Sequence, residues 1–376
     1  MPFTKKCFGE ISMKKLLLAA TVATLAMNAA QAASTLYGKL NVTLDNIDNN
    51  GFEDESVIKV NSNASRIGVK GEEKLTDNLS AVYLAEWEIS ADGDGDVFKN
   101  RNRFVGIKSN GVATLKVGQY DSYFKTAAGN NQDIFNDHNE LDMTKVLVGE
   151  DRLTNVIGFE TDKKLLGGLA FNIMFQQGEE SEGANSKAKG YEGSRDGFGD
   201  GVSASLTYEN KDMGLAAAVA ANRAIASKFN AYSDLTGIYT DAVRVTGSLD
   251  LGAMGASGLV LGALWQTAQP TDDTVTVTKG TPAVVTSYKG LQEDAFGVTA
   301  AYKIGATPVK LKAQYISATT ESDGRDDRKQ DLYGVGADYQ INKQARFYGI
   351  VAQQKRDWLT KDDKKTNIGL GMEYNF

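Results

Sequence analysis

Asn367-Ile368-Gly369-Leu370-Gly371-Met372-Glu373-Tyr374-Asn375-Phe376 alternates without a break. Ile368, Leu370, Met372, Tyr374 and Phe376 point one way, and Asn367, Gly369, Gly371, Glu373 and Asn375 the other. Side chains of a β-strand leave the backbone on opposite faces with period two. A ten-residue strand with one apolar face, one polar or tiny face and an aromatic end matches a wall that separates lipid from water.

The same alternation recurs outward from this stretch. Leu36, Leu40, Val42 and Leu44 oppose Tyr37, Lys39, Asn41 and Thr43 in the first strand. Other outward rows are Leu169, Phe171, Ile173 and Phe175; Ala204, Leu206 and Tyr208; and Phe296, Val298, Ala300 and Tyr302. Further along come Val309, Leu311, Ala313 and Tyr315, then Tyr333, Val335, Ala337, Tyr339 and Ile341. Several rows end in Tyr or Phe, as membrane-interface girdles do.

Sixteen strands are expected, near 35–46, 63–72, 79–90, 101–109, 113–120, 153–161, 168–178, 201–210, 213–223, 241–251, 257–268, 292–304, 307–320, 330–341, 344–356 and 366–376. An even number lets the first and last strands pair antiparallel and leaves no edge, and sixteen leave a water-filled lumen. Short connections such as 109–111 and 342–343 interleave with long ones at 47–62, 121–152, 179–200, 224–240 and 269–291. That rhythm predicts short periplasmic turns and long extracellular loops. Pro270, Pro282 and Pro308 are all expected in connections, since proline cannot donate to a ladder. The fold class is therefore all-β, a 16-stranded antiparallel transmembrane β-barrel. A soluble β-sandwich would also alternate, but without aromatic ends or the long–short rhythm.

The amino terminus reads as an export signal. Lys14-Lys15 leads into the apolar run Leu16 to Met27, followed by Ala30-Gln31-Ala32, a small-x-small cleavage site. Residues 1–32 are the expected signal peptide, with Met13 as an alternative start, and 33–376 form one barrel domain. The run is too short to span a bilayer as a helix, which takes about 20 residues. Losing four lysines and one glutamate moves the net charge from −7 to about −10. An acidic chain repels nucleic acid, whose affinity for proteins comes from clustered Lys and Arg. Cys7 is the only cysteine and lies in the signal, so the exported chain holds neither a disulfide nor a Cys-based metal site. With a single histidine, His138, and no organised nucleophile beyond nearby Ser122, neither a metal site nor a catalytic residue is expected.

Five segments in order, Leu36-Tyr37-Gly38-Lys39, Ser65 to Leu75, Arg103-Phe104-Val105-Gly106-Ile107-Lys108, Leu115-Lys116-Val117-Gly118-Gln119 and Gly371 to Phe376, resemble the Gram-negative general porin family, trimeric and sixteen-stranded. The resemblance runs the full length after Ala33. It implies a homotrimer in the outer membrane, a third loop folded into the barrel, and a terminal aromatic read by the assembly machinery. Outer-membrane lipid and lipopolysaccharide would be its surroundings, small hydrophilic solutes and ions its cargo, and no cofactor is implied. The family often has an arginine where this chain has Gln119, a departure that counts against strong anion preference.

The third long connection carries Asp121, Asp133, Asp137, Glu140, Asp142, Glu150 and Asp151. The lumen face of the strands offers Lys39, Arg66, Lys70, Lys116, Arg244, Lys310 and Lys312. Opposed acidic and basic rows at a narrow waist would set up a transverse field that orients dipolar solutes and sorts ions. The candidate constriction is Asp133, Asp137, Glu140 and Asp142 facing Lys39, Arg66, Lys70 and Lys116; ordinary solvation of each charge is the competing account. Asp92-Gly93-Asp94-Gly95-Asp96 imitates the start of a calcium loop, but Arg103 stands where the twelfth-position Glu belongs. Weak divalent binding there, or bridging to lipopolysaccharide phosphates, is what remains. His138 among carboxylates offers a titratable group near pH 6.5. Broad passive diffusion is the expected function; a solute-specific channel with a saturable site is the alternative, disfavoured because most aromatics face outward.

Overall fold

The computed structural model describes residues 34–376 except 50–54, 96–97, 130, 180–188, 192, 280–281 and 361–362. The expected export signal lies outside them, as does Asp96. Its strands are β1 (Thr35–Asp48), β2 (Val57–Ser62), β3 (Arg66–Lys74), β4 (Leu79–Glu88), β5 (Lys99–Ser109), β6 (Ala113–Asp121), β7 (Arg152–Thr161), β8 (Leu169–Gln176), β9 (Gly201–Asn210) and β10 (Leu215–Lys228). They continue with β11 (Thr236–Asp250), β12 (Leu259–Pro270), β13 (Thr274–Lys279), β14 (Val284–Lys289), β15 (Gln292–Lys303), β16 (Val309–Glu321), β17 (Arg328–Gln340), β18 (Ala345–Arg356) and β19 (Lys364–Asn375).

Each barrel strand pairs antiparallel with its neighbours, and β1 pairs with β19 from Lys39 opposite Asn375 to Asp48 opposite Thr366, closing the sheet. Closure leaves no unpaired edge, the condition for putting a sheet in hydrocarbon. Both β2 and β3 pair with β1, so they are one wall strand interrupted at residues 63–65. At the interruption Ala64 takes φ +49°, and the Asn41 N–H, which lacks its ladder partner, donates to Ser65 Oγ at 2.9 Å. Counting β2 and β3 together and leaving out the separate β13–β14 hairpin gives the expected sixteen strands.

The outward rows emerge as read from alternation: Leu36, Leu40, Leu44, Phe171, Leu206, Phe296, Val298, Tyr302, Tyr333, Val335, Tyr339, Ile368, Leu370, Met372, Tyr374 and Phe376 are all exposed. In a soluble chain these would be core; here lipid takes that place. No helix of the described residues is long and apolar enough to cross a membrane.

Three connections differ from expectation, and the first, expected at 47–62, shrinks to 49–56 because β1 runs to Asp48 and β2 starts at Val57. β10 and β11 run on to Lys228 and back from Thr236, so the loop expected at 224–240 shrinks to 229–235. The connection expected at 269–291 contains the β13–β14 hairpin, whose Thr-Val repeats satisfy each other in a local ladder. Pro270 is the last residue of β12 rather than a loop residue; Thr271 N carries on the hydrogen bonding to Tyr239 O at 2.9 Å. A strand terminus tolerates the missing donor.

Candidate functional site

The buried apolar side chains gather inside the barrel, where the third loop, residues 122–151, lies against the wall. The loop opens with helix α1 (Tyr123–Thr126), whose N-cap Ser122 accepts from Lys125 N at 3.1 Å. Phe135, Leu141, Met143, Val146 and Leu147 then pack on Leu264, Ala295, Ile316, Leu332, Tyr348 and Ile350 of β12 and β15–β18. Two wall glycines make the seat. A Cβ at Gly334 would come within 2.3 Å of Leu141, and one at Gly336 within 2.9 Å of the Phe135 ring.

Wall side chains also satisfy the loop's backbone, which is buried away from water and needs partners. Gln266 Nε2 donates to Val148 O (3.0 Å), Gln314 to Leu141 O (2.6 Å) and Gln330 to Lys145 O (2.8 Å). Glu293 accepts from Val148 N at 2.9 Å and Ser227 Oγ from Gly149 N at 2.9 Å. Below the first part of the loop an opening of about 630 Å³ continues between Thr126–Gly129, Asn131 and Gln132 on one side and the short-turn ends of β9–β11 on the other.

Asp137 sits at the far end of the loop with φ +66°. Its carboxylate receives both Lys39 of β1 and Arg66 of β3, and Arg101 of β5 lies 3.9 Å away. The interruption between β2 and β3 presents Asn63 to the same tip, where its Oδ1 accepts from Asn139 N at 3.0 Å. Arg101 is a wall base that alternation from the chain alone did not single out. It reaches Glu86 at 2.6 Å and Glu88 at 3.1 Å, and an irregularity between β4 and β5 shifts the register beside it.

From there, charges of alternating sign run along the inner wall. Glu86 lies 3.9 Å from Arg66; past Asp137, Lys39 lies 3.8 Å from Glu373, Glu373 2.9 Å from Arg346, Arg346 2.8 Å from Asp338, and Asp338 3.1 Å from Lys312. Every base in this belt is flanked by acid, so the belt contributes little net charge.

The other candidates divide. Glu140 pairs with Lys365 at 2.6 Å instead of with the four expected bases. Asp142 caps the turn Met143–Lys145 by accepting from Thr144 N (2.9 Å) and also accepts from Asp137 N (3.0 Å). Asp133 accepts from Asn136 Nδ2 at 2.5 Å. Among the described residues neither Asp133 nor Asp142 has a salt-bridge partner. Burial raises the Asp133 carboxyl well above the usual range, and the nearby charges of Asp142 and Glu150 push the same way.

Lys70 stacks over Tyr37 at 4.6 Å and does not meet the loop acids. Lys116 pairs with Glu160 and lies over Phe104, Tyr120 and Tyr123 at 4.9, 4.4 and 5.8 Å, so it braces the root of the loop. Arg244 and Lys312 face inward as expected but are buried under the loop. Arg244 pairs with Glu150 and packs 4.2 Å from Phe124, and Lys312 lies 4.6 Å from Phe135. Lys310 is exposed.

Gln119 is opposite Arg103 in the ladder and accepts from its Nη2 at 2.6 Å, in the outward row of Val105, Ile107, Leu115 and Val117. It is not a vacancy in the lumen wall. His138 is buried between Phe135 and Tyr348, with ring centroids at 5.7 and 4.7 Å, and burial together with Lys312, Arg346 and Lys39 drives its pKa well down. A neutral packing residue therefore replaces the expected titratable one. The Asp92 carboxylate is saturated by its own chain, accepting from Ser62 N (2.7 Å), Ser90 Oγ (2.6 Å) and Asp94 N (3.2 Å). No cluster among the described residues could hold a metal ion.

The family model for the Gram-negative porin matches residues 18–358. A major outer membrane protein P.IB of Neisseria meningitidis serogroup B is 31% identical over 183 residues, 47% of this chain and 53% of that protein. The aligned part thus spans about half the length of that relative. The P.IB protein of Neisseria sicca is 24% identical over 97% of this chain and 100% of its own. Among solved structures, an anion-selective porin from Comamonas acidovorans superposes with a TM-score of 0.67, covering 92% of this chain and 100% of that one at 18% identity, a likeness of fold. With the closed sixteen-stranded wall and the loop folded inside it, the chain belongs to the Gram-negative porin family.

Proposed function

We propose that the chain is an outer-membrane channel for passive diffusion of ions and small hydrophilic solutes, with the third loop as its waist. The supporting observation is the seating of that loop: its apolar side is spent on the wall, so its polar side is left to border the water path. No reaction is part of this function. Asp137, Lys39 and Arg66 would act as a clasp that fixes the loop, and Asp142 as the loop charge that solutes meet, with the Asp133 carboxyl beside it pushed toward its neutral form; Lys70 lines the path without opposing them, while Glu140 and Lys116 hold the loop's ends.

Because the belt bases are each countered, the unpaired Asp142 favours cations at the waist. The solute-specific alternative is weaker, since the inward rings of Phe104, Tyr120 and Tyr123 are covered by Lys116. A homotrimer embedded in lipid and lipopolysaccharide fits the outward Arg103–Gln119 contact, a polar pair in an apolar row that a second copy would shield better than lipid.

The test is single-channel recording of the purified protein in a planar bilayer under a salt gradient. Stepwise ohmic openings, often in threes, with a reversal potential displaced toward cations are expected. A folded barrel that gives no channels would send the function back to a binding role.

A further inference from the structure

At the long-loop ends of β17 and β18, strand alternation sorts charge by face. Arg328 and Arg356 share the inward face of Gln330, the side chain that holds Lys145 O of the third loop. Lys329, Asp331 and Asp357 take the other face, where Lys329 lies 3.7 Å from Asp331 and Asp357 accepts from Lys329 N at 2.8 Å. The mouth above the loop therefore receives guanidinium groups while Asp331 and Asp357 are turned away, and Asp234 on the ring side is held by Tyr288 Oη, from which it accepts at 2.9 Å.

These cations are interleaved with rings. Arg328 lies 4.1 Å from the Tyr232 centroid and 5.4 Å from Trp358, and Arg356 lies 5.6 Å from Trp358. Arg325 lies 4.4 Å from Tyr288, which meets Tyr232 edge-on at 5.0 Å. Arg328 donates to Ala231 O at 2.8 Å and Arg325 to Ser287 O at 3.2 Å; among the described residues neither has a carboxylate within ion-pair distance. A guanidinium carries five donors in a planar fork suited to bidentate oxyanions, and a ring beneath it fixes the plane without neutralising the charge.

We propose that Arg325 and Arg328, held on Tyr288, Tyr232 and Trp358, form a capture site for oxyanions, carboxylate- or phosphate-bearing solutes, at the outer mouth of the channel. The proposal rests on the diffusion function and deepens it: solutes would dock by their anionic end before meeting the acidic waist.

The test uses the full-length protein in a planar bilayer of neutral lipid, with pyrophosphate added to one side at a time. Concentration-dependent current interruptions are expected from the long-loop side alone. An Arg325→Gln/Arg328→Gln variant should raise the half-blocking concentration by about tenfold or more, a loss of about 1.4 kcal/mol or more, and Arg328→Lys should fall between. If the double variant gives no channels, Arg325→Gln alone is used, because that side chain is exposed and makes one carbonyl contact. Block that is equal from both sides, or unchanged in the variants, overturns the site while leaving the channel intact. Anionic phospholipid in the long-loop leaflet that competes with pyrophosphate would assign the arginines to headgroups and overturn capture of soluble anions. Absence of conductance in the unmodified protein would instead overturn the diffusion function.

Discussion

Asp137 and Asp151 occupy the same loop and are pushed in opposite directions. Burial opposes ionisation of Asp137, yet Arg66 and Lys39 outweigh it and hold the carboxyl below its usual range. Asp151 accepts from Ser227 Oγ, but burial dominates and lifts it to about 6, with Glu150 adding to the rise. A raised acid is favoured protonated in the fold, so its stabilising contribution is complete below the unfolded value near 4 and is lost as pH climbs through about 6. Asp151→Asn should therefore raise the stability of the loop seat by about 1–3 kcal/mol at pH 8 and change little at pH 3.5. Thermal unfolding in detergent at the two pH values checks this, and an equal effect at both would contradict the assignment. Glu150 is also raised by burial, against the pull of Arg244, and belongs to the same titrating group.

At the scale of elements, the loop and the wall fit by subtraction. β17 supplies Gly334 and Gly336 where the loop brings Leu141 and Phe135, and β7 supplies Gly158 where a Cβ would stand 2.0 Å from the Tyr120 hydroxyl. Gly334→Val should unseat the loop while the lipid-facing row of β17 and its ladder remain intact. Limited proteolysis is expected to cut between Asn136 and Lys145 in the variant and to spare the parent, with the heat-resistant barrel retained in both. The glutamine anchors give a graded version: Gln314→Ala leaves the buried Leu141 carbonyl without its donor, a cost of about 1–3 kcal/mol confined to the loop. Strand periodicity made the positions of β17 legible in advance. Its glycines looked like ordinary small lumen residues, because what they accommodate is remote in sequence.

Across the whole molecule, the balance of paired and unpaired charge sets selectivity. Ion pairs along the wall from Glu88 to Lys312 cancel one another, whereas among the described residues Asp142 has no base within ion-pair distance and the buried Asp133 carboxyl is favoured protonated. Replacing Asp142 with Asn should move the reversal potential toward anions with conductance held within about twofold, since interactions across a wet lumen are screened within roughly 8–10 Å, and Asp133→Asn should add little. Replacing Lys70 or Lys310 should shift it the other way by less. Measurements at 0.1 M and 1 M salt separate this from a change in pore width, because only the electrostatic effect fades at high salt.

Period-two alternation, aromatic strand ends and the rhythm of turns and loops by themselves determined a sixteen-stranded wall, its lipid face and its two rims, because each strand's environment is imposed locally by lipid on one side and water on the other. The same local logic identified Lys39, Arg66 and the loop acids as inward or loop-borne. Only the tertiary structure decided that Asp137 alone of those acids clasps Lys39 and Arg66, that Arg101 joins them, that Arg244 and Lys312 are covered, and that Gln119 faces outward with Arg103. Those outcomes depend on how a thirty-residue loop crosses the lumen and on two register irregularities, one beside β2 and one between β4 and β5. Neither leaves a periodic trace, since a bulge shifts facing by one residue and a loop contact joins remote positions, 98 residues apart for Lys39 and Asp137 and 71 for Arg66 and Asp137.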